Sequence, residues 1–197
     1  MHPMTNPTEP FVEDVTVRYS IDSAASNFTV QAFAGGLLSA LGHNPFIGIP
    51  QFSGEADLAE DLQRASLHMT VDATSLRVAS DVKEKDRLEI ERMMHENVLQ
   101  SALYPEITYQ CSHVSGSKMG EGQYWVALNG QLTLHGVTRR LTIPARVAVN
   151  GDILKASGSF SLRQSDHEIE LVSVAGGALK VKDEVKLSFE IVARKVG

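Results

Sequence analysis

Residues 141–162 read LTIPARVAVNGDILKASGSFSL. Leu141, Ile143, Ala145, Val147 and Val149 alternate with more polar neighbours, and beyond Asn150-Gly151 the alternation resumes at Leu154, Ala156, Gly158, Phe160 and Leu162. Successive side chains of a strand point to opposite faces, so each half reads as a strand with one dry and one wet face. Asn-Gly between two such runs predicts a two-residue type I′ turn. The stretch is an antiparallel hairpin.

The same period extends in both directions. It recurs at Phe28, Val30 and Ala32, at Phe52, Gly54, Ala56 and Leu58, and at Leu67, Met69 and Val71. Leu132 and Leu134 follow it, as do Val185, Leu187, Phe189 and Ile191, and Ile107 to Cys111 is also strand-like. Ser115 to Gly122 holds three glycines and no large apolar side chain except Met119, which predicts a loose hairpin loop. Ala175-Gly176-Gly177-Ala178 predicts another turn.

Two segments leave the period. Gly35 to His43 suits a one- or two-turn helix. Asp81 to Leu99 reads as a longer amphipathic helix, with Ile90, Met94 and Val98 four apart, Met93 beside them, and Pro105 limiting its extent. Many strands with a single dry face must bury it between two sheets or inside one closed sheet. The dry face mixes Phe28, Phe52, Phe160 and Phe189 with Ala32, Gly54, Ala56, Ala145, Ala156 and Gly158. Small inward residues favour a barrel of about eight strands holding one small ligand.

Composition narrows the function. The 197 residues are 43% hydrophobic and 21% charged, the balance of a folded domain and not of a disordered chain. Residues 1–14 hold Pro3, Pro7 and Pro10 and read as a flexible arm, leaving one domain over 15–197. With 24 acidic and 18 basic residues and no basic run longer than a pair, nucleic acid is not an expected partner. No apolar run is long enough for a transmembrane segment. Met1 to Asp14 shows neither a basic nor an apolar signal-peptide region, so the chain as written reads as cytoplasmic, or as periplasmic or secreted if a signal has been removed.

Chemistry-bearing patterns are sparse. His95-Glu96-Asn97-Val98-Leu99 lacks the second histidine of a zinc-protease motif, so His95 reads as a solvated or capping side chain. His43 is the best anchor for a pocket mouth or a metal, while His68, His113, His135 and His167 stand singly. No serine sits in a nucleophile elbow, and the lone Cys111, with no adjacent cation, reads as a buried structural thiol. Neither a catalytic set nor a metal set emerges.

Several ordered strings resemble the YceI-like family. Leu132 to Arg139 (LTLHGVTR) is similar to its signature strand and turn, and Tyr19 to Asp22 with Ser26 to Val30 resembles its opening motif. Ala102 to Tyr109 and the closing Lys182 to Ile191 resemble its helix-to-strand passage and final strand. Ala25 and Ala32 stand where the family often has histidines. The resemblance implies an all-β, lipocalin-like antiparallel β-barrel with one amphipathic helix, not an enzyme. It also implies a tunnel for a long-chain isoprenoid or other lipid, such as a quinone or polyprenyl lipid, with its polar head near the mouth. Transport and a homodimer belong to the same expectation. No other cofactor is expected. The expected lining is Phe28, Val30, Phe52, Met69, Val71, Ile107, Tyr109, Leu132, Leu134, Phe160, Leu187 and Phe189, with Ile90 and Met94 from the helix. Two other readings stay open: a filled barrel acting as a partner-binding or scaffold module, and a metal-using enzyme built around His43.

Overall fold

The computed structural model describes residues 16–35, 44–174 and 179–197. The arm expected over 1–14, His43, the glycine turn at 175–178 and the short helix expected over 35–43 lie outside these residues, except for Gly35, which ends a strand. In chain order the strands are β1 (Val17–Ile21), β2 (Asn27–Gln31), β3 (Ala34–Gly35), β4 (Phe46–Gly48), β5 (Phe52–Leu58), β6 (Ser66–Asp72) and β7 (Arg77–Val78). Then come β8 (Glu106–Gly120), β9 (Gln123–Leu134), β10 (Val137–Asn150), β11 (Ile153–Arg163), β12 (Ser173–Val174), β13 (Leu179–Val181) and β14 (Glu184–Lys195).

Eight of them pair antiparallel in the order β1-β5-β6-β8-β9-β10-β11-β14, and β14 returns to β1 to close a barrel. The edge of β14 that faces β1 is shared. Ala193 to Lys195 pair with β1, and Lys186 to Glu190 pair with β2, which carries β4 and β7 outward as a side wing. Asp22 caps the 3₁₀ turn Ser23–Ala25 that separates β1 from β2. There the Ser26 hydroxyl donates to Asp22 O at 2.6 Å and accepts from Val192 N–H at 2.9 Å, so one side chain bridges the break in the ladder. A small sheet of β12, β13 and β3 extends the β2 end.

The dry faces meet inside, as the alternation requires, but several of the small inward residues are occupied by neighbours. A Cβ at Gly158 would meet Phe189 Cζ at 2.8 Å, one at Gly130 would meet Tyr109 Cζ at 2.7 Å, and one at Gly54 would meet Ile21 Cδ1 at 2.9 Å. These glycines seat large side chains of adjacent strands and do not themselves open space. The hollow therefore has another origin.

Local turns depart from the sequence reading in two places. Asn150 pairs with Ile153, so the β10–β11 turn is Gly151-Asp152, with φ 58° at Gly151 alone, as a Gly-first turn requires. Positive φ at both central positions, the type I′ mark, occurs instead at His135 (53°) and Gly136 (73°) between β9 and β10. The expected loop over Ser115 to Gly122 is mostly strand. β8 runs to Gly120, and Gly120 faces Gln123 across a two-residue turn. Pairing with β9 overrides the loop-like composition, with irregularities after Cys111 and after Lys118 absorbing the mismatch.

The helix α1 spans Glu84–Met93 and continues as a π-turn over Met94–Val98. Arg87 pairs with Glu84 and Glu91, and Arg92 with Glu89 and Glu96, along its charged face. Glu91 also accepts from Val78 N–H at 2.9 Å, docking α1 on β7. No helix among the described residues is long and apolar enough to cross a membrane.

Candidate functional site

The barrel encloses a cavity of about 520 Å³. That volume falls in the range of small-molecule sites, which is roughly 300–1,000 Å³. Its wall is built strand by strand from the inward residues. β2 gives Phe28 and Val30, β6 gives Met69 and Val71, β8 gives Ile107 and Tyr109, and β9 gives Leu132 and Leu134. Phe160 comes from β11, Leu187 and Phe189 from β14, Ile90 from α1 and Met94 from the π-turn. On β14 alone the lining runs from Val185 to Ala193, about 26 Å at roughly 3.3 Å per residue. The space is a tunnel along the strands more than a round pocket.

Phe52 is the exception among the expected wall residues. It is buried in the surrounding core, its ring packed edge-on to Phe28 with centroids 5.9 Å apart, and it is not part of the cavity wall. The structure adds wall residues that were not expected. Tyr124, Val126 and Leu128 complete β9, Ile143 and Val147 come from β10, and Ile47 and Ile49 flank β2. Extending the Leu132–Leu134 alternation backward along β9 would have found the first three.

One end of the cavity carries a second packed cluster. Tyr19 stands at the same inward parity as Ile21 but is absent from the wall, and it is buried with Leu154 and Ala193 as a separate cluster. This cluster packs at one end of the cavity, where Leu154 and Ala193 also line it. The turn Leu62–Arg64, capped by Asp61, contributes Leu62 at the same end. Beside it Asp57 accepts from Arg18 Nε at 2.7 Å and from Ser66 Oγ at 3.4 Å, and the Arg18 guanidinium holds its carboxyl below the usual carboxylate range.

Two of the polar side chains that reach the wall are engaged with backbone carbonyls. Tyr109 OH donates to Leu128 O at 2.7 Å and Leu141 O at 3.0 Å, and burial pushes its hydroxyl pKa well up. Gln164 Nε2 donates to Lys182 O at 2.9 Å. With most of its wall apolar, the interior offers an apolar chain little competition from bound water. Each methylene moved into it contributes about 0.8 kcal/mol.

Other sequence candidates have structural roles. His95 is half-buried and not solvated, with Nε2 2.9 Å from Leu76 O and Nδ1 3.0 Å from Ser101 Oγ, so it ties the end of the helical segment to the β7 approach. Cys111 is buried and its thiol donates to His113 O, with burial raising its pKa. His167 is buried and bonded to Val137 O at 2.9 Å. His135 lies 4.5 Å from the Tyr104 ring, centroid to centroid. Among the described residues no three His, Cys, Asp or Glu side chains come together to hold a metal.

Comparison with known proteins gives consistent results. The family model described as a YceI-like domain matches residues 19–193. Among solved structures, BcnA of Burkholderia cenocepacia superposes with TM-score 0.66 at 19% identity, over 87% of this chain and 98% of that one. A polyisoprenoid binding domain from Saccharophagus degradans, implicated in plant cell wall breakdown, gives 0.63 at 14% identity over 90% and 98%. The Campylobacter jejuni YCEI protein gives 0.56 at 14% identity over 77% and 85%. At these identities the likeness is one of fold. No curated protein sequence matches the chain.

Proposed function

The chain belongs to the YceI-like family, and on that premise we propose that its barrel binds a long-chain isoprenoid or other lipid in the central tunnel, for carriage or sequestration and without catalysis. The carrying observation is the cavity of about 520 Å³ inside the barrel, walled almost entirely by apolar side chains. The polyisoprenoid binding domain of similar fold supports the ligand class. Affinity comes from burying the chain, and no reactive group is needed for it. Ile90, Met93 and Met94 cover the tunnel from the helical side, and the adaptable methionines suit a tail of irregular shape.

Native mass spectrometry of the purified chain, followed by solvent extraction, tests this. The expected result is a stoichiometric long-chain lipid or quinone, or its uptake after incubation with polyprenols. An empty mass after exposure to polyprenols, quinones and fatty acids would overturn the reading. The same spectrum reads whether two copies associate, as expected for a homodimer.

A further inference from the structure

The sequence holds two Asn-Gly pairs, Asn129-Gly130 and Asn150-Gly151, and the fold treats them in opposite ways. An asparagine followed by glycine is chemically labile, because glycine has no Cβ to shield its backbone nitrogen from the neighbouring carboxamide and gives the backbone the most freedom to rotate. In a folded chain the outcome depends on whether the carboxamide and the glycine N–H are free. Asn129 is held on several sides. Its Nδ2 donates to Ser115 Oγ at 3.3 Å and to Ala127 O at 3.2 Å, and its Oδ1 accepts from Thr142 Oγ1 at 3.0 Å. Gly130 lies inside β9, opposite Cys111 of β8 and Leu141 of β10, so its N–H belongs to a ladder with neighbours on both sides.

Asn150 is the reverse case. It is the last residue of β10 and exposed, and among the described residues its carboxamide makes no hydrogen bond. Gly151 is exposed as well, at φ 58°, and a Cβ built on it would meet nothing within 4 Å, so the space beside its nitrogen is open. Among the described residues its N–H has no acceptor. The turn is tied through the Asn150↔Ile153 pair and through Asp152 O, which accepts from Lys195 N–H at 2.8 Å, and neither tie engages Gly151. A hairpin tip opens locally at little cost, whereas the middle of a ladder opens only with the strands around it.

We propose that Asn150 is a site of spontaneous deamidation and isoaspartate formation in the native protein, and that Asn129 is protected from it. The Gly151 nitrogen attacks Asn150 Cγ; the N–Cγ bond forms, the Cγ–Nδ2 bond breaks, and ammonia leaves with the proton that Gly151 gives up. Water then opens the cyclic imide at either carbonyl, giving aspartate or, with the chain routed through the side-chain carbon, isoaspartate. No electrons are exchanged, and water is the sole co-reactant. Either product adds a negative charge next to Asp152 in a chain whose net charge is already -6. Isoaspartate also inserts a methylene into the backbone at the pair that closes the hairpin, one step from the Val149↔Leu154 pair, and Leu154 packs with Tyr19 and Ala193. The reaction is independent of whatever occupies the tunnel.

The test ages the purified intact chain at mildly alkaline pH and digests samples over time. Both asparagines are followed by the mass gain of amide-to-acid conversion, with isoaspartate separated from aspartate by chromatography. A parallel sample is aged in denaturant, where the two Asn-Gly pairs have lost their different surroundings and should convert at similar rates. In the native chain Asn150 should convert at least about tenfold faster than Asn129, because the Gly130 N–H is released only when the ladder opens. The variant Asn150→Gln should lack the acidic form that accumulates on ion exchange in the unaltered chain. A native ratio smaller than that, or an acidic form that accumulates unchanged in Asn150→Gln, would overturn the assignment.

Discussion

Ala156 is the position at which to narrow the tunnel without touching its entrance. It sits on β11 opposite Val147 and Ile191, one inward step from Leu154 of the end cluster, and it lines the cavity. A cavity of about 150 Å³ accommodates a benzene ring. The ring introduced by Ala156→Phe would therefore take somewhat less than a third of the 520 Å³. A six-carbon ring displaces a comparable length of ligand chain. Counting about four methylenes, after allowing for repacking, the loss is about 3 kcal/mol, or on the order of 100-fold in affinity. Because the ring sits near that end, only a chain long enough to reach it is penalised. Titrating polyprenols of increasing length by calorimetry should give near-normal affinity for the shortest and the full loss for the longest. Filling existing space should spare the fold, so the melting temperature should stay within a few degrees. Equal losses at every length, or no loss at any length with the fold intact, would refute the idea that the chain runs to this end.

Other consequences can be checked more quickly. His95→Ala removes the bonds to Leu76 O and Ser101 Oγ and should cost about 1–3 kcal/mol, seen as a lower thermal midpoint; an unchanged midpoint would contradict the anchoring role. Asp183 accepts from Ser165 N at 2.8 Å and Ser165 Oγ at 2.6 Å, which holds its carboxyl below the ordinary range. Its folded pKa is the depressed one, so its contribution is present above the unfolded value near 3.9 and is lost as pH falls through the folded value. Asp183→Asn should therefore lower the melting temperature at neutral pH, with the difference shrinking in acid; a pH-independent difference would count against this. The thiol of Cys111 is buried with a raised pKa, so an alkylating reagent should label native protein far more slowly than unfolded protein. Similar rates would place it at the surface.

Much of the barrel was legible because period-two alternation is imposed residue by residue. Leu154 to Leu162 could be assigned a face without knowing their partners, and the helix stripe of Ile90, Met94 and Val98 likewise pointed inward. What failed depended on partners. Ser115 to Gly120 looks like a loop until Gln123 to Ala127 of β9 lie beside it and supply the ladder. Phe52 has the right parity for the wall, but its position is set by the Phe28 ring. The inward glycines suggested empty space, whereas Gly130 and Gly158 receive the rings of Tyr109 and Phe189.

The seam at which β14 meets β1 also constrains how the molecule comes into being. Tyr19 faces Lys195 and Ile21 faces Ala193, so the first strand of the barrel is completed by the last. Pairings of such sequence separation carry the largest loop-closure cost and slow the approach to the native state. The end cluster of Tyr19, Leu154 and Ala193 spans the same seam, so no tunnel exists until it shuts. A nascent chain therefore has nowhere to hold a lipid. On the proposed lipid-binding reading, loading follows completion, and a ligand would act on the finished barrel by mass action, lowering the population of open forms.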